Sequence, residues 1–156
     1  MKNSLINATK GIGSIAFILL GITCQAQKLN VNQVPSPVKS AMEKKFPGIT
    51  KVNWGKEEKD YEAEFSKDGK EMSAIFNASG TWIETETAIA VSELPQPIKT
   101  YVAQNMKGKK ITEAAVIHRS DGSTVYEAET NNTDYVFDAT GKLLKTEKEG
   151  KEEREK

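Results

Sequence analysis

The segments VNQVPSPV (residues 31–38) and VSELPQPI (residues 91–98) read as one phrase written twice, 60 residues apart. Working outward, IT at 49–50 returns at 111–112 with an offset of 62, and YEAE at 61–64 returns at 126–129 with an offset of 65. FNASG at 76–80 returns as FDATG at 137–141, an offset of 61. Four blocks kept in the same order, with an offset that rises and falls back, are what insertions and deletions in two loops produce. The chain is an internal duplication, and its period decides the fold.

Each copy opens on a helix. Asn32 and Ser92 are suitable N-caps, and the prolines that follow sit where a first turn has no backbone donor to lose. Val38, Ala41, Met42 and Phe46 share one face, as do Ile98, Tyr101, Val102 and Met106. Pro47-Gly48 ends the first helix and Gly108 the second. After each helix the pattern alternates with period two, the mark of half-buried strands. In the first copy this predicts strands near Thr50–Gly55, Asp60–Lys67, Lys70–Asn77 and Thr81–Thr87. In the second it predicts Thr112–His118, Thr124–Thr130, Thr133–Asp138 and Lys142–Glu147. Asp68-Gly69 and Ser79-Gly80 supply turns, Ser120-Asp121-Gly122 reshapes one, and Asn131-Asn132 shortens another. The expected fold class is α+β: tandem α-β-β-β-β units joined into a continuous antiparallel sheet with both helices on one face. A unit of about 60 residues buries too little surface to be stable alone.

The chain has 156 residues, with 22 basic and 22 acidic side chains, one His and one Cys. Balanced charge excludes an electrostatic nucleic-acid binder. A single Cys excludes a disulfide framework and any multi-cysteine metal site. Lys2 and Lys10 precede an uncharged run from Gly11 to Ile22, too short for the roughly 20 apolar residues that cross a bilayer. A basic start, a short apolar run and the small residues of Cys24-Gln25-Ala26 describe a secretory signal cleaved after Ala26. Cleavage and lipidation at Cys24 is the rival, but Gly21-Ile22-Thr23-Cys24 lacks the apolar residue that such sites place at −3. Losing Lys2 and Lys10 leaves 20 basic against 22 acidic groups, a net charge of −2. The expected divisions are a signal peptide at 1–26, a first repeat at 27–90, a second at 91–147 and a charged tail at 148–156. The expected location is periplasmic or secreted.

Several stretches carry a family resemblance: Val34–Lys39, Lys44–Gly48, Val52–Trp54, Tyr61–Phe65 and Ser73–Trp82. Together they resemble the PepSY-like, β-lactamase-inhibitor-like family of small secreted or periplasmic bacterial proteins. The match is strong in the first copy and looser in the second, which lacks both tryptophans. The resemblance implies tandem α+β units on a continuous sheet. It assigns no inhibitory loop, because no segment matches one residue for residue, and shape alone does not establish function.

His118 has no nucleophile motif or Cys partner beyond the signal segment, so it reads as an ordinary strand-end residue. The Asp68, Asp121 and Asp138 loops lack the spacing of a calcium loop. Neither an enzyme nor a cofactor is expected. The i, i+2 pairs Glu62 and Glu64, Glu84 and Glu86, and Glu127 and Glu129 each lie on one face of a strand. An open sheet provides no cleft for acid–base chemistry between them. Trp54, Tyr61 and Tyr126 read as core aromatics, whereas Trp82 shares strand parity with Glu84 and Glu86. The expected binding surface is therefore the open face of the sheet, with Trp82 as anchor and the six glutamates around it. The expected partner is a protein, basic if it answers the charge, with no nucleic acid, no membrane span and at most weak self-association. The alternative is a sensor of a small ligand or a cation such as calcium on the same acidic face.

Overall fold

The computed structural model describes residues 27–106 and 108–148. The expected signal peptide, the cleavage after Ala26, Cys24 and the tail beyond Lys148 lie outside the described residues. The chain runs β1 (Gln27–Leu29), a 3-10 turn (Val31–Gln33), α1 (Ser36–Lys45), β2 (Asn53–Glu57), β3 (Asp60–Lys67), β4 (Lys70–Phe76) and β5 (Trp82–Ala88). A second 3-10 turn (Val91–Glu93), α2 (Gln96–Asn105), β6 (Glu113–Arg119), β7 (Thr124–Glu129), β8 (Thr133–Asp138) and β9 (Leu143–Lys148) follow. The strands form one antiparallel sheet whose spatial order is the sequence order from β1 to β9.

Both helices pack on the same side. Under α1 lie Trp54, Ala63, Phe65, Ala74 and Phe76, with Val38, Met42 and Phe46 entering from the helix. Under α2 lie Ala114, Ala128 and Phe137, met by Ile98 and Val102. The cross-strand pairs Thr85 with His118 and Val116 with Tyr126 carry this face continuously across the join. Phe76 and Phe137 are wholly buried, each contributing about 1.5–3 kcal/mol through loss of apolar surface from water. Phe46 and Phe65 add a tilted ring pair at 4.7 Å, and Tyr101 and Phe137 an edge-on pair at 5.2 Å.

The helices begin later than expected. Asn32 and Ser92 lie inside the 3-10 turns, and each α-helix starts after Pro35 or Pro95 with a further proline in its second position. The Asn30 side chain accepts from the Asn32 amide, while the Asn30 and Ala90 amides donate to the Gln33 and Glu93 side chains. A proline disfavours helix at the residue before it, so neither α-helix can extend back through its first proline.

The repeat is visible atom for atom in its turns. Asn77 Oδ1 accepts from the amides of Ser79 and Thr81, and Asp138 Oδ1 accepts from those of Thr140 and Lys142. Each loop then brings a glycine against the helix start. A Cβ on Gly80 would stand 2.5 Å from the Pro37 carbonyl oxygen, and one on Gly141 2.7 Å from Pro97 Cβ.

One equivalence differs from the sequence alignment. Phe46 donates to Met42, and Ile49 to Phe46, as Met106 donates to Val102 and Lys109 to Met106. Trp54 faces Ala63 as Ala114 faces Ala128. The offset therefore stays at 60 from the helices into β2 and β6, and matching IT at 49–50 with IT at 111–112 slips by two residues. The insertion falls in the β6–β7 turn and the deletion in the β7–β8 hairpin. There Asn131 and Asn132 have φ of 52° and 57°, the left-handed pair that Asp68 and Gly69 supply in the first unit.

Candidate functional site

The sheet face turned away from the helices is the candidate site. Period-two alternation places Glu62 and Glu64 of β3, Glu84 and Glu86 of β5, and Glu127 and Glu129 of β7 on it, as expected from their spacing. The strands between them bring other chemistry. Ser73 and Ile75 of β4 separate the first two pairs, and Ala115 and Ile117 of β6 separate the second and third. Ile117, Val125 and Val136 form a small apolar cluster on this face, each no more than 5% exposed.

Trp82 is not there. The register shifts between Ile75 and Phe76, so that Ile75 faces Glu84 but Phe76 faces Trp82. The extra residue, Ile83, breaks the alternation and turns Trp82 to the helix side. There Trp82 packs against the first core, its Nε1 donates to Thr85 Oγ1 at 2.9 Å, and Lys45 Nζ lies 3.4 Å from its ring centroid. The ammonium's partial burial against this region lowers the Lys45 pKa. The second unit repeats the device: a shift between Val136 and Phe137 leaves Leu144 as the extra residue and turns Leu143 inward. The expected anchor is thus half-buried on the helix side against the first core, and the apolar residues of the open face, Ile117, Val125 and Val136, are themselves buried.

Electrostatics differs along the face. Glu84 is answered by Arg119, whose Nε donates to its Oε2 at 3.1 Å. Across β6, β7, β8 and β9 the directly opposed residues are Glu113, Glu129, Asp134 and Glu147, a row of four acids. Such opposition is unfavourable between strands. Asp134 is buried within that row, and Lys145 forms an ion pair with Glu147 at its margin. Glu127 stands beside the row. Burial first, and then the charges of Glu86, Asp134, Glu147 and Glu129, push its pKa up to about 9. Glu127 therefore holds its proton at neutral pH and contributes no steering charge, unlike the reading from spacing alone. Sequence inspection missed Glu113, Asp134 and Glu147 because only the hairpin registers bring them opposite one another.

The remaining titratable candidates are local fixtures. His118 is exposed, with Nδ1 3.0 Å from Thr124 Oγ1 on the facing strand. Asp121 Oδ1 accepts from the Ser123 amide, and Asp138 Oδ1 also accepts from the Thr140 hydroxyl. These bonds hold both carboxyls below the usual carboxylate range. Among the described residues, no group of three or more His, Cys, Asp or Glu side chains is arranged to hold a metal ion. No helix among the described residues is long and apolar enough to cross a membrane.

Solved structures share this architecture. A Bacteroides eggerthii protein described as among "putative periplasmic proteins" superposes with a TM-score of 0.66 at 16% identity, covering 73% of this chain and 88% of that one. A DUF2874 family protein from Bacteroides uniformis gives 0.65 at 21%, covering 72% and 88%. A BLIP-like protein from Bacteroides fragilis gives 0.61 at 23%, covering 72% and 85%. At such identities the likeness is one of fold. No curated protein matches the chain. The family model described as "Putative beta-lactamase-inhibitor-like, PepSY-like" matches residues 20–74 and again 59–145, so that both units fall within it. The chain belongs to the PepSY-like, β-lactamase-inhibitor-like family.

Proposed function

We propose that the protein is a non-enzymatic periplasmic binding module that takes a basic protein partner on the open face of its sheet. The observation that carries this reading is the acidic row Glu113, Glu129, Asp134 and Glu147, which the strand registers assemble across the open face. Carboxylates gathered on one face speed the approach of a cationic partner and make binding salt-sensitive. Glu62, Glu64 and Glu86 extend the negative field toward the first unit. The periplasmic description of the B. eggerthii protein and the signal-like start of this sequence support the compartment.

The test is capture from periplasmic extract on the immobilised protein, with the fold of each variant checked by circular dichroism. Wild type should retain a basic partner at low salt and release it as salt rises. Glu64→Lys combined with Glu129→Lys should lose that partner. Trp82→Ala, altered on the opposite side, should keep it. Equal retention by the double variant, or selective loss with Trp82→Ala, would overturn the reading.

A further inference from the structure

On the other side of the molecule a second feature is unrelated to the open face. The 3-10 turn at Val91–Glu93, helix α2 and the segment leading into β6 enclose an open-sided groove of about 440 Å³. That volume lies within the range of small-ligand clefts. Its floor is apolar, from Val91, Val102 and Ile111, and its rim is cationic, from Lys99, Lys109 and Lys110.

Lys99 is staked in place, its Nζ donating to the Ser92 carbonyl oxygen at 3.0 Å. Lys109 Nζ lies 3.3 Å from the Tyr135 hydroxyl, to which it donates. None of the three lysines joins a salt bridge among the described residues.

The duplication provides an internal control. With the offset of 60 fixed by the helix-end hydrogen bonds, the equivalents of Lys99, Ala103, Lys109 and Lys110 are Lys39, Glu43, Ile49 and Thr50. Ile111 stands where the first unit has Lys51, so two cations and one acid at these positions of the first unit have become three cations and no acid in the second. A like-charged cluster left without its acid attracts an anion, while the floor rewards an aliphatic group.

We infer that this groove binds a small anionic amphiphile, with a carboxylate or phosphate head held by Lys99, Lys109 and Lys110 and an aliphatic tail against Val91, Val102 and Ile111. Decanoate, below its micelle concentration, is the probe. Titration into the ¹⁵N-labelled protein should saturate and shift the amides of Ala103, Lys110 and Ile111, leaving Glu43, Thr50 and Lys51 unmoved. Lys109→Glu with Lys110→Glu should abolish saturation. Ala103→Glu, which restores the acid of the first unit at an exposed helical position, should weaken decanoate about fivefold or more.

Decyltrimethylammonium and inorganic phosphate separate the two halves of the claim. The inference is overturned if the cationic surfactant shifts the same amides equally, or if phosphate alone binds as tightly as decanoate. It is also overturned if decanoate does not saturate, or if the charge variants, with their amide spectra otherwise preserved, bind it unchanged.

Discussion

Across four strands of the first unit the open face carries Asn53, Glu64, Ser73 and Glu86, and across the equivalent strands of the second it carries Glu113, Glu129, Asp134 and Glu147. On the helix side the contrast runs the other way. The first unit closes the end of its core with Phe65 against Phe46 and Met72, whereas the equivalents of Phe65 and Met72 are Thr130 and Thr133, both buried. The Thr130 hydroxyl has no partner. Two copies of one backbone have thus diverged in opposite directions: the first has the more apolar core, and the second concentrates the charge. Stability and surface potential need not reside in the same half of a duplicated protein.

The sharpest way to break this contrast is to remove the aromatic end of the first core. Phe65→Ala should cost about 3–5 kcal/mol in chemical denaturation, as expected for a buried ring with little room to collapse. A loss below about 1 kcal/mol would mean that the first unit is not the better packed one.

The next test concerns what the units still share. Gly80→Ala and Gly141→Ala should each destabilise by about 2–3 kcal/mol. Each adds a Cβ into Pro37 or Pro97 at a φ above +80°, where side chains are strained. Unequal losses would reveal that one loop can lift from its helix and the other cannot.

A smaller effect follows from Glu127. Its pKa is raised from 4.5 to about 9, so the folded chain keeps a proton that the unfolded chain releases. Stability attributable to this residue is present below about pH 4.5 and is lost as pH rises toward 9. Glu127→Gln should therefore gain about 1–2 kcal/mol at pH 7, discounted for its partial exposure, and nothing at pH 4. Urea midpoints of the two proteins at both pH values make the comparison, and a gain independent of pH would show that the acidic row does not strain the second unit.

The smallest effect is at the orphaned hydroxyl. Thr130→Val keeps the shape and deletes the unpaired donor, and should stabilise by about 1 kcal/mol, measured as a raised urea midpoint at constant m-value.

Much of the architecture was legible because period two and the duplication reinforce each other. The strands Asp60–Lys67 and Thr133–Asp138 were bounded correctly from sequence, and the helix faces ending in Phe46 and Met106 are the ones that pack. Three features were not. β1 has only three residues, too few for any period, and exists through pairing with Trp54, Gly55 and Lys56. The helix starts were blurred because Asn32 and Ser92 sit in turns too short to show a pattern. The side taken by Trp82 depends on one extra residue. A signal for it was present, since the adjacent apolar pairs Trp82-Ile83 and Leu143-Leu144 are where alternation fails in both copies. The carboxylate pairs were legible from spacing, but the acidic row was not, because it exists only between strands.

Strand β5 pairs with β4 on one edge and β6 on the other, so the last strand of one unit is also the first of the next. Leu29 of β1 faces Trp54 as Ile89, just past β5, bonds to Ala114. A sheet built this way has no inherent length. Each duplication of the gene segment would add four strands and a helix, with no new join to invent, much as bricks share mortar. Strand β9 carries Lys145, Glu147 and Lys148, charged side chains that make it a poor template for edge-to-edge pairing with another sheet.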